Sequence, residues 1–291
     1  MPDMLSPPMG PASDARPRSV ARRSPAPPTG GPKLSSRRQQ LLDTVALGIG
    51  LLAVWEMLAR TGVFPEDYIP PISVIVPQIV SLLGQPPFWS AVGHTIAIWV
   101  ISLLIAGLGG TVAGLAIGSV AWLDRATSFV IEFLRPVPPV ALIPLVVLVS
   151  GTGYESAVFL AAFAAFWPQL VQAVYGARAQ DRVAVDTARA FRLTAVRRFT
   201  MLTLPAAAPY LATGTKISSS IALILTITAG IVIGSPGLGY EISLAATAGA
   251  YIEMYALIFV TGVLGYLLTL VMVRLERRVL TWQPEHREVR R

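Results

Sequence analysis

Arginines have the most chemistry to offer in this chain, and six of them crowd into one stretch. Between Gly176 and Pro209, in GARAQDRVAVDTARAFRLTAVRRFTMLTLPAAAP, stand Arg178, Arg182, Arg189, Arg192, Arg197 and Arg198 against only Asp181 and Asp186. The apolar residues Ala188, Phe191, Ala195, Phe199 and Leu202 recur there at steps of three and four, the repeat of one helix face. The stretch is therefore expected to fold, with one greasy side and one cationic side. Two fates are open to the greasy side. It can dock on a partner, with Arg189, Arg197 and Arg198 pairing with acids at the rim of the contact, or Phe191 and Phe199 can turn back onto the chain's own inner surface. Arginines beside the aromatics favour docking.

Other chemistries drop out. There is no cysteine, so disulfides, thiolate catalysis and Cys-type zinc sites are excluded. No GxxxxGK[ST] phosphate loop occurs, so any ATP must be hydrolysed by another polypeptide. His and carboxylates form no cluster suited to a metal or to acid–base work. No catalytic residue, metal ligand or bound cofactor is assigned, and the chain is expected to be a non-enzyme.

The elements that must position the arginine stretch are apolar. Hydrophobic residues make up 54% of the 291 and charged ones 13%, with a mean hydropathy of +0.63, the balance of a membrane protein. The net charge of +7 gathers at the two ends and in the central loop. A nucleic-acid binder would carry a basic face on a soluble fold instead.

Residues 1–40, rich in Pro, Ser and Arg, cannot bury enough surface to offset their ordering entropy and are expected to be a disordered tail. Their composition also fits a transit peptide. Arg37 and Arg38 should hold the start of the first span, roughly 41–59, on the inside. Glu56 and Arg60, four apart near its outer end, are expected to pair. Residues 61–91 contain Glu66 and Asp67 but no Lys or Arg, and read as an outside segment with short helical pieces. The second span, 92–123, is too long to stand upright, and His94 suits an interfacial hydrogen bond. Asp124, Arg125, Glu132 and Arg135 mark a short inside loop. The RPVPP run that follows forces the third span, ending near Val149, to start late or bend. The fourth span opens at Glu155 and ends near Tyr175, with Pro168 inside it. The fifth runs from about Ala206 to Ile233, and residues 234–253 lie outside with no Lys or Arg. The sixth ends near Val273, pinned by Arg274, Arg277 and Arg278. Six spans with both termini in the cytoplasm put every basic residue inside except Arg60 and Lys216.

Two strips of small residues stand out. Ala106, Gly110, Gly114 and Gly118 allow close helix approach, either within the chain or to another subunit. Thr215, Ser219, Ala222, Thr226 and Gly230 share a face of the fifth span, and Thr215, Ser219 and Thr226 can line a solute path or serve packing. Lys216 beside them should snorkel inward or face an aqueous cavity.

With this topology, DTARAFRLTAVRRFTMLTLPAAAP resembles the EAA loop of the integral membrane subunit of bacterial ATP-binding cassette (ABC) importers. Asp186 stands at the motif's Glu, Thr187 and Ala188 at its two alanines, and Leu204-Pro205 at its closing pair, without a gap. The likeness extends over roughly residues 50–283. WEMLARTGVFP, LRPVPPVALIP, SGTGYES, GSPGLGYEI and LERRVLTWQPE resemble the branch that serves nitrate, sulfonate, taurine and related small solutes. One position departs: the family has Gly thirteen residues before the closing Pro, where this chain has Arg192. Gly there would allow a left-handed turn or close approach, so the turn is expected to differ in shape or to meet an acidic group on the partner.

The resemblance implies an all-α polytopic protein of the ABC type I importer transmembrane fold. Its permease domain would cover 88–278, after a first helix and external segment at 41–87 and before a cytoplasmic tail at 279–291. It implies a multi-pass protein of the inner (plasma) membrane, working as two such chains with a cytoplasmic ABC ATPase dimer and an extracytoplasmic solute-binding protein. ATP and Mg would be used by that ATPase. Asp186, Thr187, Ala188, Phe191, Arg192, Arg197, Arg198, Leu204 and Pro205 would form a coupling helix seated in a groove of the ATPase. The competing reading is a secondary transporter driven by an ion gradient. It needs intramembrane acids or helices broken near the midplane, and the acids here sit near span ends.

Overall fold

Long apolar runs leave few options in lipid, because every backbone amide must be satisfied within its own segment. The protein, described here from a computed structural model over residues 37–62 and 68–280, is accordingly helical. The tail at 1–36, Glu66 and Asp67, and residues 281–291 lie outside the described residues. The helices are α1 (Arg37–Arg60), α2 (Ile72–Leu83), α3 (Pro86–Ser119), α4 (Ala121–Leu134), α5 (Ile143–Ser150), α6 (Tyr154–Arg178), α7 (Arg182–Ala190), α8 (Ala195–Arg198), α9 (Leu204–Ile233), α10 (Leu238–Thr247) and α11 (Tyr251–Val279).

The chain divides at Gly50. Up to that point the described residues form the first half of α1, which starts at Arg37, inside the segment expected to be tail. Arg and Gln are good helix formers, and composition alone does not mark where an adjoining helix begins. Its described apolar side chains, Leu42, Val45, Leu47 and Ile49 among them, are exposed, as on a helix made to face lipid.

From Leu51 onward the body is built on α3, α6 and α9. The strip Ala106, Gly110, Gly114 and Gly118 packs within the chain, which decides between the two uses open to it. A Cβ added at Gly110 would lie 2.9 Å from Gln169 Cβ, and one at Gly118 would lie 2.7 Å from Ala177 Cβ. At Gly114 it would collide with the Leu170 carbonyl and with Ala173. The two backbones thus meet along a seam that only glycine permits. Several polar groups inside the body are paired across helices. Gln169 donates to Thr111 on α3 (2.8 Å), Ser218 to the Ala165 carbonyl (2.6 Å) and Trp99 Nε1 to the Ser219 carbonyl (2.9 Å).

The end of α1 joins this body through Trp55, whose ring lies 5.6 Å from Tyr255 and 6.3 Å from Phe259. The expected Glu56–Arg60 pair is present at 2.6 Å, and Glu56 also accepts from Ser73 of α2. His94 is exposed and has no hydrogen bond among the described residues.

Two expectations are corrected. The second span starts at Pro86, because a proline suits a helix's first turn, and it ends at Ser119, where Val120 turns extended. The charged segment 124–134 is not a loop: it lies in α4, whose residues are all exposed or half-buried, with Arg135 as its C-cap. Residues 234–253 contain α10. The third span does bend. A 3-10 turn at Pro139–Leu142 and α5 meet α4 at 83°. Pro139–Ser150 spans roughly 18 Å as helix, too short alone for a hydrocarbon core of ~30 Å. Among the described residues five helices are long and apolar enough to cross a membrane, or six if that bent pair counts as one.

Candidate functional site

The arginine stretch folds into a helix, a tight turn and a second helix that runs on into α9. Asp181 caps α7 by accepting from Val183 N at 2.9 Å. The helix ends in a pair of bonds, Arg192 N to the Arg189 carbonyl (2.9 Å) and Leu193 N to the Ala188 carbonyl (3.0 Å). This is a Schellman closure, which requires a left-handed residue after the cap. Arg192 is that residue, with φ 53°, among the described residues the one non-glycine of positive φ. The turn expected to change shape therefore keeps its left-handed backbone, at a cost of about 1–2 kcal/mol for a residue with a Cβ. Thr194 then caps α8 by accepting from Arg197 N.

Past Arg198 the helix widens into a π-turn at Phe199–Thr203 and continues as α9. Pro205 falls in the first turn of α9, and the widened turn just before it accommodates the missing N–H and the ring's demand on the preceding carbonyls. Ala195 to Ile233 thereby forms one rod, roughly 55–60 Å long by helix rise.

The single greasy face does not survive, because the turn at Phe191–Thr194 divides it. Ala188 is buried at 4% exposure, whereas Phe191 is 77% exposed, and Val183 and Val196 are each 72% exposed. Phe191 is thus not folded back on the chain. Around it Arg182, Arg189, Arg192 and Arg197 are also exposed. Asp186 and Arg189 pair at 3.2 Å on open surface, an interaction of little energetic weight. Thr187 donates to the Val183 carbonyl at 2.8 Å, while Leu204 and Pro205 remain exposed on α9. The Arg198 Nε is buried without an acceptor. Arg178 is used internally, bridged to Asp124 of α4. No other described helix packs extensively on α7.

Of the strip assigned to a path or to packing, Ser219 and Thr226 are 4% exposed, and Thr226 donates to the Ala222 carbonyl at 2.8 Å. Thr215 is half-buried and donates to the Leu211 carbonyl at 2.9 Å. In this structure the strip is filled by α3 and α6. Lys216 neither snorkels free nor faces an open cavity alone: it pairs with Glu276 of α11 at 3.2 Å. Sequence reading missed that partner because sixty positions separate the two.

Residues 107–281 match the family described as binding-protein-dependent transport system inner membrane component. The chain belongs to that family. It is the permease component of an ABC importer, an inner-membrane part that transports and is not itself catalytic, and the family implies an ATPase partner and a binding protein. The chain is 27% identical to the taurine transport system permease protein of Escherichia coli, over 87% of this chain and 97% of that one. It is 29% identical to a putative aliphatic sulfonates transport permease protein of the same organism, covering 82% and 91%. It is 25% identical to a nitrate import permease protein of Leptolyngbya laminosa, covering 89% and 95%. Among solved structures it resembles the inward-facing MetNI methionine ABC transporter, with a TM-score of 0.59 and 20% identity over 67% of this chain and 98% of that one. It also resembles a bacterial ABC transporter that imports alginate, with a TM-score of 0.58 and 18% identity over 84% and 97%. At these identities the structural likeness speaks for the fold alone.

Proposed function

We propose that this permease imports a small anionic or zwitterionic solute, and that its α7–α8 segment is the handle by which a cytoplasmic ATPase moves it. The observation that carries the second half is Phe191, 77% exposed at the C-terminal end of a capped helix, with exposed arginines before and after it in the chain. An apolar anchor inside a cationic rim is the composition of a protein contact. The continuity of α8 with α9 supports a mechanical role, because a push on α8 is delivered to a membrane helix without an intervening flexible joint. The charge distribution supports placing this loop and both termini in the cytoplasm.

In this reading two copies of the chain assemble with two ATPases and receive solute from an external binding protein. The relatives named for taurine, aliphatic sulfonates, nitrate and bicarbonate support a cargo bearing an oxyanion group. The solute path runs beside the Thr215, Ser219 and Thr226 strip rather than through it, because those side chains are occupied in packing.

Phe191→Asp tests the handle. The variant should insert and purify as the parent does but lose at least 90% of the co-purified ATPase. Retention of the ATPase at parental levels would remove Phe191 from the contact.

A further inference from the structure

The proline run that breaks the third span makes one wall of a cavity. Arg135 and the residues up to Pro138 form the elbow between α4 and the 3-10 turn, and beside it lies an open-sided space of about 460 Å³. Arg135, Val137 and Pro139 bound it on the elbow, Trp167 and Gln172 on α6, and Ile217 on α9. Trp167 stands roughly 20 Å along α6 from Tyr154 by helix rise, so the cavity opens well inside the span. Irregular backbone at that depth is tolerated where it lines a watery space, and interrupted helices are where transporters meet charged solutes.

Two polar side chains on the wall have no protein partner among the described residues. Arg135 has no carboxylate partner and its guanidinium makes no hydrogen bond among the described residues. The side chain of Gln172 makes none there either. No Asp or Glu lines the cavity. One fixed positive charge with a neutral amide donor attracts an oxyanion and disfavours a cation. A single cationic contact also holds weakly enough for release, as a conducting site must.

We propose that this cavity is the passage site for the transported oxyanion, with Arg135 as its principal contact and the Gln172 amide as a secondary donor. The inference deepens the transport reading and rests on it. The same chemistry suits the headgroup of an anionic lipid, so the experiment separates the two sources.

The full complex of permease, ATPase and binding protein is reconstituted in phosphatidylcholine vesicles, with and without phosphatidylglycerol, and uptake of labelled taurine, nitrate and bicarbonate is measured. Arg135→Gln should lower uptake of the carried anion at least tenfold in both vesicle types, with Arg135→Lys retaining more. Gln172→Ala should lower it two- to fivefold. Glu132→Gln, on α4 but outside the cavity, should leave it unchanged. Arg135→Gln transport within twofold of the parent overturns the site while sparing the transport reading. A defect confined to vesicles containing phosphatidylglycerol assigns the arginine to lipid and also overturns it. Should Arg135→Gln fail to assemble, parental uptake by Gln172→Ala overturns it independently. If the parent carries none of the three anions, the oxyanion cargo fails and takes this site with it.

Discussion

The seam between α3 and α6 and the loop from α7 to α8 solve opposite problems. In the seam, glycines bring two backbones to the limit of contact, and the polar atoms of Gln169, Thr111 and Ser218 find partners inside the chain. In the loop, apolar side chains at Phe191, Val183 and Val196 are presented outward, and an arginine occupies a backbone conformation better suited to glycine. One region is closed within a single chain, while the other stays open to solvent. On the proposed docking, the contrast separates the permease as a folded object from its assembly: small residues serve internal closure, and exposed aromatics and guanidinium groups are what a partner would cover.

The sharpest way to break the contrast is to spoil the seam. Gly114→Leu places a branched side chain where even a Cβ meets the Leu170 carbonyl and Ala173. Overpacking in an ordinary core costs about 1–3 kcal/mol, and here the obstruction is backbone that cannot rotate away, so the upper end of that range or more is expected. The variant should lose its monodisperse peak in size-exclusion chromatography and unfold at lower temperature in detergent. Phe191→Asp, by contrast, should leave both measurements unchanged. If the two variants destabilise the chain equally, the loop is part of the folded core and the distinction fails.

A smaller effect is expected at the Lys216–Glu276 pair, which ties α9 to α11 and lies beside an apolar cavity of about 520 Å³. Lys216→Met strands the Glu276 carboxylate, which is 17% exposed, and an unpaired charged group of this kind costs about 1–3 kcal/mol. Neutralising both, as Lys216→Met with Glu276→Gln, should recover most of the loss, because the penalty belongs to the orphaned charge rather than to the missing attraction. Thermal unfolding of the parent, the two single variants and the double completes the cycle. A double variant less stable than either single would show that the pair holds the helices together directly.

Much of this arrangement was legible beforehand, for physical reasons that also explain what was not. Apolar runs longer than a bilayer, the proline break after Arg135 and the glycine period in α3 are local patterns, and each appears where its chemistry requires. The partner of the glycine strip is not local, so the sequence left it open between α6 and another subunit. α4 was hidden because Asp124, Arg125, Glu132 and Arg135 were read as the charges of a loop. Phe129 and Phe133, four apart and stacked at 6.3 Å, carried the helical signal instead. Thr215, Ser219 and Thr226 were correctly placed on one face, but what that face meets depends on how α3 and α6 close over it. The cavity at Arg135 arises from an 83° bend, an angle that no spacing of residues encodes.

The finest distinction lies at Arg192, where the loop's strained backbone and an exposed guanidinium belong to one residue. A non-glycine residue in the left-handed region forfeits about 1–2 kcal/mol. Glycine removes that strain but adds about 0.5–1 kcal/mol of chain entropy to be lost on folding. The balance favours Arg192→Gly by about 0.5–1 kcal/mol, and Arg192→Val, branched at Cβ, should be worse than the parent. The amides of Arg192 and Leu193 report the closure directly, since they donate its two bonds. In Arg192→Gly their hydrogen exchange should slow by roughly two- to fivefold, as local opening becomes rarer by that free energy. The test also separates two roles for the arginine. If Arg192→Gly tightens the turn yet weakens ATPase co-purification, the guanidinium contributes to the contact and the strain is retained for it. If co-purification is unchanged, the contact is carried by Phe191 and the neighbouring arginines, and the left-handed backbone alone is what this position supplies.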